Sequence, residues 1–142
     1  MPQQIEAPTE ADIGRIARQL IHADELIQAV TGEAPCRQVG DLTLIQRVLD
    51  SRQLEPEATY SLQALGMAFG AVFVKNNEGY DWWMVEDEYG RDPTVRYRQT
   101  TLLAFPMTMI SKRVEDGEPV DVLDLYSGLV QRLKTLREEG YT

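Results

Sequence analysis

Hydrophobic and polar positions along this chain follow two periods, and the switch between them divides it. The first half is helical in spacing. Ile13, Ile16, Leu20, Ile27 and Val30 recur on one face. Thr9 stands where a capping side chain is needed, Asp12 is a short version of the capping-box acid, and Gly32 offers a left-handed stop. Leu42, Ile45 and Leu49 form the stripe of a second, shorter helix capped by Asp41. Pro56 suits the first turn of a third, whose buried face is Leu62, Leu65, Phe69 and Val72. The first eight residues show no such pattern and read as a loose tail.

After Asn76, Asn77 and Gly79 the pattern becomes extended. Trp82–Glu86 reads as a strand. Val95 and Tyr97 alternate with Thr94, Arg96 and Arg98, the period of a half-exposed strand. Leu102–Phe105 makes a third. Pro106 stops the sheet and opens a helix through Met109, Ile110 and Val114, which Gly117 closes. Asp121 caps a last helix carrying Val122, Leu125, Leu129, Leu133 and Leu136. The expected fold is α+β: three N-terminal helices, a small three-stranded antiparallel meander and two C-terminal helices, in one domain over the 142 residues. Gly66 and Gly70 lie inside the third helix, where each costs about 1 kcal/mol relative to alanine. That cost predicts close approach by another element, the tryptophan strand being the nearest candidate.

Charge sharpens the picture in the central block. Residues 78–92 hold six acids and one base, residues 93–113 four bases and no acid, and residues 114–124 five acids and no base. Such parcels suggest pairing within the fold. If the hairpin sets even positions against even ones, Glu86 and Glu88 share a face with Arg96 and Arg98 as a ladder of ion pairs. Trp83 and Val85 then join Val95 and Tyr97 in the core.

The whole chain carries a net charge of −9, which repels phosphate backbones and disfavours nucleic acid as a partner. The single cysteine, Cys36, permits no internal disulfide and no cysteine zinc site, and His22 is the only histidine. No metal or cofactor is expected. The apolar runs fall far short of the roughly 20 residues that span a membrane. The N-terminus lacks the basic and apolar regions of a signal peptide, so a cytoplasmic location is the default.

The densest candidate site is the turn Asp87-Glu88-Tyr89-Gly90-Arg91-Asp92, followed by Pro93. It brings carboxylates, a phenol and a guanidinium together on a loop held by strands, where binding residues gather. It lacks the alternate acids of a calcium loop. Lys112 and Arg113 offer a site for an anion, or serve only to neutralise nearby acids and the C-terminal dipole of their helix. Ser111 has no base near it in sequence, so no catalytic residue is assigned.

The wording of the chain also carries a resemblance. LGMAFGAVF (Leu65–Phe73), DWWMVEDEYGRDP (Asp81–Pro93) and LLAFPMTMISKRVEDGEPVDV (Leu102–Val122), in this order, resemble a bacterial family known as domain of unknown function 3806, over about Leu62 to Leu129. The resemblance implies a small bacterial α+β domain and carries no catalytic residues over. Two functions fit: a non-catalytic, acidic protein-interaction module with another protein, a basic one, as its partner, or a small-ligand site or enzyme at the Asp87–Asp92 turn completed by Lys112 and Arg113.

Overall fold

A computed structural model describes residues 3–140. The elements run β1 (Gln4–Glu6), α1 (Glu10–Thr31), α2 (Asp41–Asp50), α3 (Thr59–Asn76), β2 (Tyr80–Asp87), β3 (Gly90–Tyr97), β4 (Leu103–Ala104), α4 (Pro106–Glu115) and α5 (Val122–Glu138). The fold is α+β, with one antiparallel sheet in the order β1-β2-β3-β4.

The core is organised around α3. From Leu62 to Phe73 every residue except Gln63 is buried, so this helix is apolar on all sides rather than on one stripe. It packs against α1, α2, α4 and β2. Phe69, Phe73, Leu65 and Val72 meet Ile27, Leu42 and Ile45 from the first two helices and Leu129 and Leu133 from the last. A smaller cluster joins Ile16, Met67, Met84 and Met107.

The two glycines of α3 explain how so many elements reach it. A methyl at Gly66 would overlap the carbonyl oxygen of Pro106 and lie 2.9 Å from that of Met107. At Gly70 it would lie 2.7 Å from the Trp82 ring and 2.8 Å from the Pro106 ring. The tryptophan strand is one close neighbour, as expected. The start of α4 is the other.

Local caps form where the sequence places them on α1, α4 and α5, but not on α2. There Gly40 is the N-cap, and Asp41, the first helical residue, turns its carboxylate back to the Cys36 and Arg37 amides. Thr9 and Asp12 make a reciprocal capping box on α1, and Gly32 closes it in the left-handed conformation. Pro106 opens α4, and Asp121 caps α5 by accepting from the Asp124 amide.

Several expectations are corrected. Gln4–Glu6 is not a loose tail but a fourth strand, paired to β2 with Ile5 opposite Val85. Residues 1–2 of that expected tail lie outside the described residues. Pro56 sits in a turn before α3, not in its first turn. Ile13 is 59% exposed, because α1 turns Asp12, Ile16, Gln19, Ala23 and Ile27 inward instead.

The hairpin register is shifted by one residue from the ion-pair ladder. Trp82 faces Val95, Tyr80 faces Tyr97 and Asp81 faces Arg96. A two-residue connection, Glu88–Tyr89, replaces the longer loop and sets even positions against odd. Tyr80, Trp82 and Met84 therefore share the face of Val95 and Tyr97, while Trp83 joins Arg96, whose guanidinium stacks 4.4 Å above its ring. Trp83 is half-buried and belongs to neither core cluster. At the other end of the hairpin, Arg137 of α5 donates to the Tyr80 hydroxyl and lies over the Tyr97 ring. Burial pushes the Tyr80 phenol above its ordinary range, against the opposing pull of Arg137.

Candidate functional site

The tip of the β2–β3 hairpin is built by its own backbone. The Asp87 carboxylate accepts from the Tyr89 amide at 2.8 Å, closing the turn from inside. Gly90 has φ 134, a conformation that side chains rarely adopt. Tyr89 is thrown outward and is 87% exposed. Glu88 is exposed beside it.

The base of the hairpin is held by residues from the far end of the chain. Arg91 donates from Nε to Asp12 Oδ1 at 3.1 Å and from Nη2 to Asp12 Oδ2 at 2.7 Å, and its Nη1 donates to Glu6. Glu86 lies 4.0 Å from the same guanidinium. One residue on, Asp92 accepts from Arg15 at 3.2 Å, while Arg15 also donates to the Arg91 carbonyl at 2.7 Å. Thus β1 and the first turns of α1 clamp β3.

These pairs set the electrostatics. The Arg91 hydrogen bonds, helped by the Thr9 amide, hold the Asp12 carboxyl well below the usual carboxylate range. Asp12 and Glu6 in turn raise the Arg91 guanidinium further above its already high value. A general base works best with a pKa near the working pH, so the Asp12 carboxyl is ill suited to proton transfer and well suited to a permanent ion pair with Arg91.

Lys112 and Arg113 are not part of this cluster. Asp87 and Asp92 border a cleft of about 150 Å³ with Pro93, Phe105, Met107 and Thr108. Lys112 and Arg113 border, together with Arg132, a groove between α4 and α5 that adjoins this cleft at Phe105 and Thr108. Lys112 is exposed, and Arg113 donates to the Met109 carbonyl of its own helix at 2.9 Å. The structure therefore gathers Asp87, Glu88, Tyr89, Arg91 and Asp92 at one hairpin and leaves the two cations elsewhere. The cleft at the turn is also smaller than the roughly 300 Å³ from which small-molecule pockets usually begin.

Residues that sequence reasoning missed are Glu6, Asp12 and Arg15 as anchors of the hairpin, and Arg132 as the neighbour of Arg113. No local spacing connects them to their partners. His22 Nε2 lies 2.8 Å from Ser61 Oγ, tying α1 to the first turn of α3. Asp41 is buried and accepts from the Cys36 and Arg37 amides, the latter at 2.7 Å, which shapes the loop before α2. Among the described residues, no group of three or more His, Cys, Asp or Glu side chains is disposed to hold a metal ion. No helix among them is long and apolar enough to cross a membrane.

Comparison with known proteins adds the family. Residues 41–126 match the family described as domain of unknown function (DUF3806), more than half of the chain. The chain belongs to the DUF3806 family. The matched segment runs from α2 into α5 and contains the hairpin tip and all of α4. It leaves out β1, α1 and therefore the anchors Glu6, Asp12 and Arg15. No curated protein matches the chain. A crystal structure of a protein from Bacteroides thetaiotaomicron VPI-5482 matches with a TM-score of 0.85 at 20% identity, covering 93% of this chain and 48% of that one. The likeness shows the fold, with α1 included, beyond the segment that the family match covers. The chain spans about half the length of that neighbour.

Proposed function

We propose that this member of the DUF3806 family is a non-catalytic protein-interaction module whose contact element is the β2–β3 hairpin tip. The observation that carries the reading is Tyr89, 87% exposed on a two-residue turn whose base is locked by Arg91 and Asp92. An exposed tyrosine on a rigid support offers large contact area with little entropy to lose on binding. Asp87 and Glu88 flank it, so a basic partner surface complements the tip. The titratable groups at its base are held in ion pairs that suit anchoring better than acid–base chemistry. A small-ligand or enzymatic site at the same turn has less support, because the cleft there holds only about 150 Å³ and Lys112 and Arg113 border the adjoining groove instead of it.

The test is affinity capture from the protein's own cells at low and moderate salt. The wild type is compared with Tyr89→Ala and Glu88→Lys, and circular dichroism checks that each variant folds. A partner retained by the wild type and lost from both variants supports the reading. Equal retention by all three removes the tip from the interaction, and no specific partner at either salt removes the module reading itself.

A further inference from the structure

We propose that the trough between α4 and α5 is a second docking surface, one that takes an acidic amphipathic helix of a partner protein. The trough is distinct from the hairpin tip and opposite to it in charge. It consists of two adjoining cavities of about 600 and 400 Å³, which share Met109, Arg113, Leu129 and Arg132 and so form one continuous furrow. It exists because α4 and α5 pack on the rest of the molecule and not closely on each other.

Its floor and its walls differ in chemistry. Met109 lies along the middle, with Leu125 toward one end and Leu136 toward the other, and these half-buried side chains supply the accessible apolar surface. Leu129 and Leu133 line the bottom but are themselves buried in the core. Leu125, Leu129 and Leu133 recur at i, i+4 and i+8 on one face of α5, Met109 comes from α4 across from them, and together they suit the apolar stripe of a second helix. Lys112, Arg113 and Arg132 rise beside them, and among the described residues none of the three holds a carboxylate. The cations cluster at the Lys112, Arg113 and Arg132 end of the furrow, with its two aspartates at the other. On a protein of net charge −9, this is a local reversal over the cationic end, which attracts there what the rest of the surface repels.

The furrow also has a direction. Asp121 and Asp124 stand at the end nearest the start of α5, away from Leu133 and Leu136. An occupant therefore carries carboxylates where it meets the cations and a neutral or basic end beside these two aspartates. From Leu125 to Leu136 the floor is about 17 Å long at 1.5 Å per residue, room for about three helical turns. An apolar floor under the cations argues for a protein segment over nucleic acid, whose backbone needs cations without apolar contact.

The test uses the full chain and two labelled synthetic peptides of about 12 residues, matching those three turns. Both carry leucine at i, i+3, i+4 and i+7. One has glutamate between the leucines and the other lysine. Binding is read by fluorescence anisotropy at low salt and located by amide shifts in two-dimensional NMR. The glutamate peptide is expected to bind at least about tenfold more tightly than the lysine peptide, the factor that corresponds to 1.4 kcal/mol of electrostatic discrimination. Its shifts are expected at Met109, Leu129 and Arg132.

Arg113→Glu combined with Arg132→Glu should reverse the preference. Gly128 borders the furrow and has open space around its Cα, so Gly128→Trp should fill it without disturbing the core and abolish binding of either peptide. Equal binding of the two peptides, no binding of either, or shifts confined to other surfaces overturns the proposal. Stronger binding of a single-stranded oligonucleotide or an anionic lipid vesicle through the same residues also overturns it.

Discussion

Adding one methyl group should have opposite effects in two helices of this protein. In a helix interior, glycine to alanine gains about 1 kcal/mol from backbone entropy alone. Gly128, in α5, has nothing within 4 Å of the point where a methyl group would stand, so Gly128→Ala should realise that gain. Gly66, in α3, faces the backbone carbonyls of Pro106 and Met107. Neither is the end of a flexible side chain that can swing aside. Relief requires the first turn of α4 to retreat by roughly 1 Å, which loosens the dispersion contacts of the whole α3–α4 interface. Overpacking of this kind costs about 1–3 kcal/mol, and a backbone obstacle places it at the upper end. After the entropy gain, Gly66→Ala should lose about 2 kcal/mol, leaving the two variants about 3 kcal/mol apart. With a urea m-value of about 2 kcal/mol/M, their midpoints should differ by about 1.5 M, followed by tryptophan fluorescence and far-ultraviolet circular dichroism. Midpoints displaced in the same direction by similar amounts would refute the close approach of α4 to α3.

Other predictions concern buried polar groups. The depressed carboxyl of Asp12 contributes stability that is complete above the unfolded value near pH 3.9 and fades as pH falls toward its folded value. Asp12→Asn should thus lower the urea midpoint at pH 7, and the gap to wild type should narrow at pH 3; a gap that stays constant would show that the Arg91 pair is not its source. Gln19 is 4% exposed, and its Oε1 has no hydrogen-bond partner while Nε2 faces the Met107 sulfur at 3.8 Å. Gln19→Leu should therefore stabilise by about 1 kcal/mol, since an unmet buried acceptor costs about 1–3 kcal/mol, and a loss of stability would count against that account. Asp41→Ala leaves the Cys36 and Arg37 amides without their acceptor; it should cost about 2 kcal/mol and speed labelling of the Cys36 thiol. An unchanged labelling rate would mean that Asp41 does not hold the loop.

Much of this architecture is written locally. The Thr9–Asp12 box, the Gly32 stop, Pro106 and the Asp121 cap act through hydrogen bonds and torsions within a few residues, so they are legible one helix at a time. The α+β class follows from the switch in hydrophobic period. Gly66 and Gly70 announce that something comes close. Only the packed molecule names α4 as the principal neighbour. The inward residues of β3 are those that alternation predicts; in β2, Val85 is buried as expected, but Trp82 and not Trp83 packs on the core. A single residue more or less in the connecting turn moves every side chain to the other face, and the tight Glu88–Tyr89 connection decides the matter.

Distance along the chain limits the rest. Glu6, Asp12 and Arg15 reach Arg91 and Asp92 across 76 to 85 residues, and β1 joins the sheet over a similar span. The parcels of charge in the central block point to pairing yet not to these partners, because a charge accepts any opposite charge that the fold delivers. For the candidate site, the exposed Glu88 and Tyr89 are visible in the turn itself. The diversion of Arg91 and Asp92 into anchoring is not, nor is the separation of Lys112 and Arg113 into a furrow with Arg132. Periodicity and capping settle which segments are helix or strand, since their energies are short-range. Register, ion-pair partners and grooves are decided by which elements meet, a property that comes into being only when the chain closes on itself.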